Sequence, residues 1–227
     1  MQNIEKERYS WLKLGAVMLW ILIWALPNIF VSDTKMNFDD VSKVQILKLG
    51  QAIGVIFLFI IPSVVFAQFA TKSKMSYLGI TKPSASNTTL IAGLGMVLAL
   101  PLINGLAQLN QQVHFSEAFQ GLEGWMKNSE ENAKNITEAF LQGTDLSSLL
   151  INLFVIAFMA ALSEELFFRG VLQNVLIDCF KNKHVGVWVG AIIFSAFHLQ
   201  FYGFLPRILM GAYLGYLLVW TGSLWPG

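Results

Sequence analysis

The stretch INLFVIAFMAALSEELFFRGVLQNVLI, Ile151–Ile177, decides the fold. It is apolar almost throughout, except near its middle, where Glu164, Glu165 and Arg169 stand close together. About 20 apolar residues cross a bilayer core, so the run reads as a membrane helix with charge at its centre. Each such charge costs about 2.5–3.5 kcal/mol on insertion scales unless it is paired or hydrated. A feature this expensive serves structure, transport or chemistry.

The rest of the chain agrees with a membrane protein. Of its 227 residues 55% are hydrophobic and only 13% charged, against about a quarter charged in soluble domains; the mean hydropathy is +0.58. A formal net charge of +1 with no basic cluster gives nucleic acid no footprint, so the expected partner is the lipid bilayer. The single cysteine, Cys179, excludes an internal disulfide and reads as a packed thiol. The N-terminal MQNIEKERYSWLK leads into a long apolar segment without a small-x-small cleavage site, which predicts a retained span and not a signal peptide.

Working outward on the same measure, spans are expected near residues 14–31, 49–67, 90–107, 148–180, 185–200 and 207–221. The fourth lacks proline and, with a rise of 1.5 Å per residue, is about 50 Å long, so it must tilt, bend or protrude. Between the third and fourth lies a polar stretch, residues 108–147, with six acids and two lysines. Within it Phe115, Phe119, Leu122 and Trp125 recur at helical spacing, the pattern of an interfacial amphipathic helix. The lysines of the 71–82 loop and of KNKH (Lys181–His184) give a mild positive-inside bias with the N-terminus cytoplasmic. The final SLWPG looks like the opening of another span. The expectation is therefore an all-α polytopic transmembrane helix bundle of at least six spans, truncated before the last one or two. It divides into an N-terminal three-span region (1–110), a polar loop with an amphipathic helix (111–147) and a membrane core (148–227).

Helix geometry sorts the central charges. Glu165 and Arg169 are four apart, on one face, and can pair. Glu164 points about 100° away, and its own i+3 and i+4 neighbours are Phe167 and Phe168. A partner for it is found by depth. Glu164 lies 18 residues before the turn at Asn182 and His198 lies 16 after it, so an antiparallel pair brings them to one level. Phe194 sits one turn below His198 on the same face. Gly186, Gly190, Gly211 and Gly215 form two small-xxx-small spacings that allow close helix approach. A carboxylate and an imidazole at one depth can hold and deprotonate water, or share a metal ion. An intramembrane ion pair equally suits structure or transport, and a lone histidine on an apolar helix equally suits a satisfied polar group. His114 and His184 lie at polar boundaries and are expected to be solvated.

Glu164-Glu165-x-x-x-Arg169 followed by Phe194-x-x-x-His198 resembles the motif pair of the CAAX prenyl protease and bacteriocin-processing (Abi) family of intramembrane endopeptidases. SLWPG is similar to the lead-in to that family's last motif, and SYLGITKP to a loop its members often carry. The resemblance covers residues 148–227 and implies peptide-bond hydrolysis with Glu164 and His198 activating water. It implies support from Glu165 and Arg169, a pocket lined by Phe194 and Phe168, and a peptide or protein substrate within or at the membrane. Family members are commonly classed as metalloproteases, so Glu164 and His198 would be the ligands of a zinc ion if a divalent metal is bound, although catalytic zinc usually takes three protein ligands. The family's third motif, a histidine followed four residues later by a polar residue, is expected just past SLWPG. Its absence predicts either a fragment or a protein short of full activity. The expected location is the bacterial cell membrane, as a multi-pass protein. Two other readings stay open: a non-catalytic immunity or peptide-binding protein, and an ion-coupled transporter using Glu164 and Arg169. No inverted repeat supports the latter.

Overall fold

A computed structural model describes residues 2–31, 41–70, 73–81, 83, 85–112, 116 and 119–227. Among them there is no strand, and eight helices succeed one another. Helix α1 is Gln2–Val31. Helix α2 runs through three consecutive segments, Val41–Val55, Ile56–Ile60 and Ile61–Ala70. The short α3 is Lys74–Tyr77, α4 is Ser86–Gln111 and α5 is Gln120–Leu141. Helix α6 is Leu146–Phe180, α7 is Lys183–Phe197 and α8 is Phe204–Thr221.

Four of these are long and apolar enough to cross a bilayer, within Lys43–Ala70, Ser86–Gln111, Leu146–Phe180 and Phe201–Thr221. Two shorter apolar helices, Ser10–Ala25 and Lys183–Phe197, complete the six hydrophobic segments expected from sequence. The chain is a multi-pass integral membrane protein. Its lipid-facing character shows in exposed side chains such as Leu98, 79% exposed on α4, and Phe69, 78% exposed on α2.

Helix α6 starts at Asp145, whose side chain accepts from the Ser148 backbone N–H at 3.0 Å and from the hydroxyls of Ser147 and Ser148. This N-cap satisfies one of the helix's orphan donors. These hydrogen bonds, with Ser147 foremost, hold the Asp145 carboxyl well below the usual carboxylate range. The excess length expected of this helix is partly absorbed by two π-helical segments, Leu153–Met159 and Glu165–Gln173. Their i→i+5 bonding fits more residues into each turn.

The π turn in α2 has a local cause. Pro62 has no N–H to give the carbonyl four residues earlier, that of Leu58. The Leu58 carbonyl instead accepts from the Trp20 indole N–H at 2.9 Å, which ties α1 to α2. Helix α6 reverses into α7 through Lys181, which takes a left-handed conformation at φ 53°. Asn182 then caps α7 by accepting from the N–H groups of His184 and Val185 at 2.9 and 3.3 Å. The reversal lies where the sequence put it.

The α6–α7–α8 unit is close-packed as the glycine spacings suggested. A Cβ on Gly211 would stand 3.2 Å from the Ala191 Cβ, and one on Gly186 would come 2.9 Å from the Ile177 backbone nitrogen. Around this unit α1 lies against the C-terminal end of α6, α2 against its middle, and α4 against α8. The hydroxyl of Tyr213 on α8 donates to the Ala92 carbonyl of α4 at 2.8 Å. In the core Phe59 of α2 meets Phe167, Phe168 and Phe197, with ring centroids 5.5–5.7 Å apart in tilted or edge-on contact.

Candidate active site

Glu164 and His198 come together as the depth count required. His198 Nε2 stands 3.9 Å from Glu164 Oε1, across the α6–α7 pair. Both side chains remain about a quarter exposed, 27% for Glu164 and 25% for His198. By contrast the Glu165–Arg169 pair is sunk into the bundle at 12% and 3%, with Arg169 Nη1 3.2 Å from Glu165 Oε1. One pair is open to a ligand and the other is enclosed.

The imidazole is oriented from within its own helix. His198 Nδ1 lies 2.9 Å from the Phe194 carbonyl oxygen, an acceptor, so Nδ1 carries the proton and donates. Nε2 is then a free lone pair, and it is the nitrogen that faces Glu164. The 3.9 Å gap is longer than a hydrogen bond. Two acceptors at that spacing suit a shared donor between them.

Phe194 connects the two pairs. Its ring packs against the His198 ring at 4.8 Å, and the Arg169 guanidinium lies over its face at 4.2 Å. The Glu165–Arg169 contact is close but poorly aligned: neither Arg169 Nη atom makes a well-formed hydrogen bond among the described residues. Charge proximity and the Phe194 face together stabilise the buried guanidinium. Phe168 is 2% exposed and sits behind Phe194, at 5.0 Å between centroids, as packed support. A recess of about 150 Å³ borders Glu165 and is walled by Phe158, Leu162, Leu224 and Trp225; neither Glu164 nor His198 lines it.

Three residues close to this centre carried no motif in the sequence. Arg207, in the first turn of α8, donates from Nη2 to Gln200 Oε1 at 2.6 Å and from Nη1 to the Gln200 carbonyl at 3.2 Å. Glu130 of α5 accepts from the Tyr202 N–H at 3.3 Å, in the same segment that follows His198. The available signal was an arginine opening an apolar helix nine residues past the histidine; its partner Gln200 is seven residues away, across an irregular turn that no spacing marks.

Of the amphipathic pattern expected around Phe115–Trp125, Leu122 and Trp125 fall within α5 and Phe119 at its N-cap. Trp125 packs its ring 5.2 Å from Phe201, while Phe119 and Leu122 are exposed. Phe115 and His114 lie outside the described residues. His184, at the start of α7, is exposed and its Nδ1 meets the Tyr216 hydroxyl at 2.8 Å, far from the centre.

Among the described residues no group of three or more His, Cys, Asp or Glu could hold a metal ion. Glu164 and His198 supply two donors, one fewer than a catalytic zinc ordinarily takes from protein. The described donor set does not fit such a site.

Residues 146–227, which contain α6, α7, α8 and every residue of both motifs, match the family described as type II CAAX prenyl endopeptidase, Rce1-like. Over 70 residues the chain is 33% identical to the uncharacterized protein YpbD of Bacillus subtilis (strain 168), an alignment covering 29% of this chain and 32% of that protein. The chain thus spans about a third of the length of this curated relative. No solved structure matches it.

Proposed function

We propose, from the premise that residues 146–227 are an Rce1-like segment of the type II CAAX prenyl endopeptidase family, that this protein is an intramembrane endopeptidase in which Glu164 and His198 activate water. The observation that carries the reading is the 3.9 Å approach of a carboxylate oxygen to an imidazole nitrogen whose other nitrogen is already committed as a donor. A water between them donates one hydrogen to Glu164 Oε1 and the other to His198 Nε2. Glu164 takes the proton as the water oxygen attacks the peptide carbonyl carbon. The same carboxyl returns it to the departing amine, so a C–O bond forms, the C–N bond breaks and the enzyme regains its starting state. The bilayer excludes bulk water, which is why the protein holds its reacting water on buried polar groups.

Glu165 and Arg169 act as support: Arg169 underlies Phe194, and Phe194 orients His198 through ring contact and carbonyl. No step is assigned to a metal, because the described donors number two. The substrate is a peptide or protein segment reaching the site from the membrane, either a prenylated tail or a leader-bearing peptide. A bacterial cell-membrane location with the N-terminus cytoplasmic belongs to the same proposal.

The test is cleavage in liposomes of a panel of farnesylated tail peptides and leader-bearing peptides, in water enriched in ¹⁸O. Mass spectrometry should find new C-termini carrying one ¹⁸O, and Glu164→Gln should lower the rate about 10²–10⁴-fold, the contribution of a general base. No product from either panel, or equal rates for the parent and Glu164→Gln, sinks the proposal and leaves peptide binding or transport in its place. Dialysis against a chelator should leave the rate unchanged.

A further inference from the structure

Directly after His198 the backbone does something costly. Leu199 adopts φ 53°, the left-handed region that a bulky residue without glycine's freedom avoids. Such a conformation persists only when its surroundings over-determine it, and here four elements do so. Arg207 of α8 grips both the carbonyl and the side chain of Gln200. Asn110 of α4 donates to the Phe201 carbonyl, and Glu130 of α5 accepts from the Tyr202 N–H. Ser195 of α7 donates from its hydroxyl to the Phe204 carbonyl at 2.8 Å.

Arg207 is the member of this set best placed to matter for chemistry. Its planar fork spends two donors on a single residue, a geometry lysine cannot reproduce. Gln200 is two residues from His198 and one from the strained Leu199, so the fork fixes how the chain leaves the histidine. Releasing it lets Leu199 relax, and the C-cap of α7 moves with it. That cap is His198, whose N–H donates to the Ser195 carbonyl at 3.3 Å.

We propose that Arg207 and Gln200 form a clamp that positions the His198 imidazole, holding its Nδ1–H on Phe194 and its Nε2 toward Glu164. The role rests on the peptidase reading for its purpose but not for its physics. Arg207 is a positioning residue; it acts on the reaction through Gln200 and the His198 backbone.

The experiment uses the full chain in nanodiscs with His114→Gln and His184→Gln, which leaves His198 as its one histidine. Ring ¹⁵N spectra of selectively labelled histidine report the tautomer directly. The parent should show a single species protonated at Nδ1. Arg207→Lys, which keeps the charge and loses the fork, and Gln200→Ala, which keeps Arg207 and loses its anchor, should each give a mixture of tautomers. Kinetically each should lower kcat on the order of 10²-fold, the cost of a small misplacement, with KM within about twofold. A tautomer unchanged in both variants overturns the clamp, even if thermal stability falls, because a purely structural loop tie would lower stability alone. A change in Arg207→Gln but in neither of the other two overturns it as well, in favour of a bare charge effect. If the parent cleaves no peptide while both variants shift the tautomer, the clamp stands and the peptidase reading falls. If the parent cleaves and the tautomer does not move, the outcome is the reverse.

Discussion

Two adjacent glutamates with the same chemistry have been given different surroundings. Glu165 is opposite a buried guanidinium, and removing its charge leaves Arg169 without compensation in a low-dielectric interior. Glu165→Gln should therefore cost about 3–5 kcal/mol of stability, read as a large drop in the unfolding midpoint in detergent. Glu164→Gln, at a position still 27% exposed, should leave that midpoint near the parent's while removing activity. If the two substitutions destabilise equally, the division into an enclosed pair and an open pair is wrong. This division was legible in the sequence, because an i, i+4 partner exists for one glutamate and not the other. The meeting of Glu164 with His198 was legible too, since counting residues from a turn fixes depth in a membrane hairpin. Arg207 was not. Its hydrogen bonds to Gln200 depend on where the chain between α7 and α8 comes to rest, and no periodicity encodes that. Phe168 was expected to line the pocket; the structure places it behind Phe194, packed in the aromatic core.

At the scale of single elements, irregular turns are matched by side chains that take up the freed groups. Trp20 serves the carbonyl that Pro62 abandons, so Trp20→Phe should lose about 1 kcal/mol and loosen α1, seen as faster hydrogen exchange in α1 and α2. Gly211 admits α7 closely, and Gly211→Val should overpack the contact with Ala191 by about 1–3 kcal/mol. The start of α6 predicts a pH response. Asp145 has a folded-state pKa below its unfolded value, so its contribution is present above about pH 4, the unfolded aspartate range, and is lost as pH falls through the lower folded value. Protection of the Ser148 amide should hold steady from neutrality to about pH 4 and decline below it; protection that stays level on further acidification would count against the cap. Helix positions followed from hydropathy, but the π segments did not, because apolar composition does not distinguish one turn type from another in lipid.

Over the whole molecule, the helical hairpin α6–α7 and its partner α8 form the unit on which everything else leans. The loop at 77–80 joins the N-terminal region to it: the Tyr77 carbonyl accepts from Asn174 at 3.1 Å and the Gly79 carbonyl from the Leu224 N–H at 3.0 Å. Trp225 adds a third tie, its indole N–H donating to the Ile80 carbonyl at 2.9 Å. The count of apolar segments was readable from the sequence. Which outer helix covers which face was not, since lipid-facing and protein-facing leucines look alike when both surroundings are apolar.

The wide turn over Glu165–Gln173 has one more consequence. A π segment amounts to surplus chain wound into an otherwise ordinary helix, so the stretches on its two sides keep nearly the phase of an uninterrupted coil. Excising one residue from it would let the wide turn close and leave Glu164 near its place opposite His198. The same excision from the regular turns of Asn174–Phe180 has no slack to draw on and would turn everything before it by about 100°. Two gaps of one codon, a few residues apart in one helix, thus have opposite outcomes for the same pair of side chains.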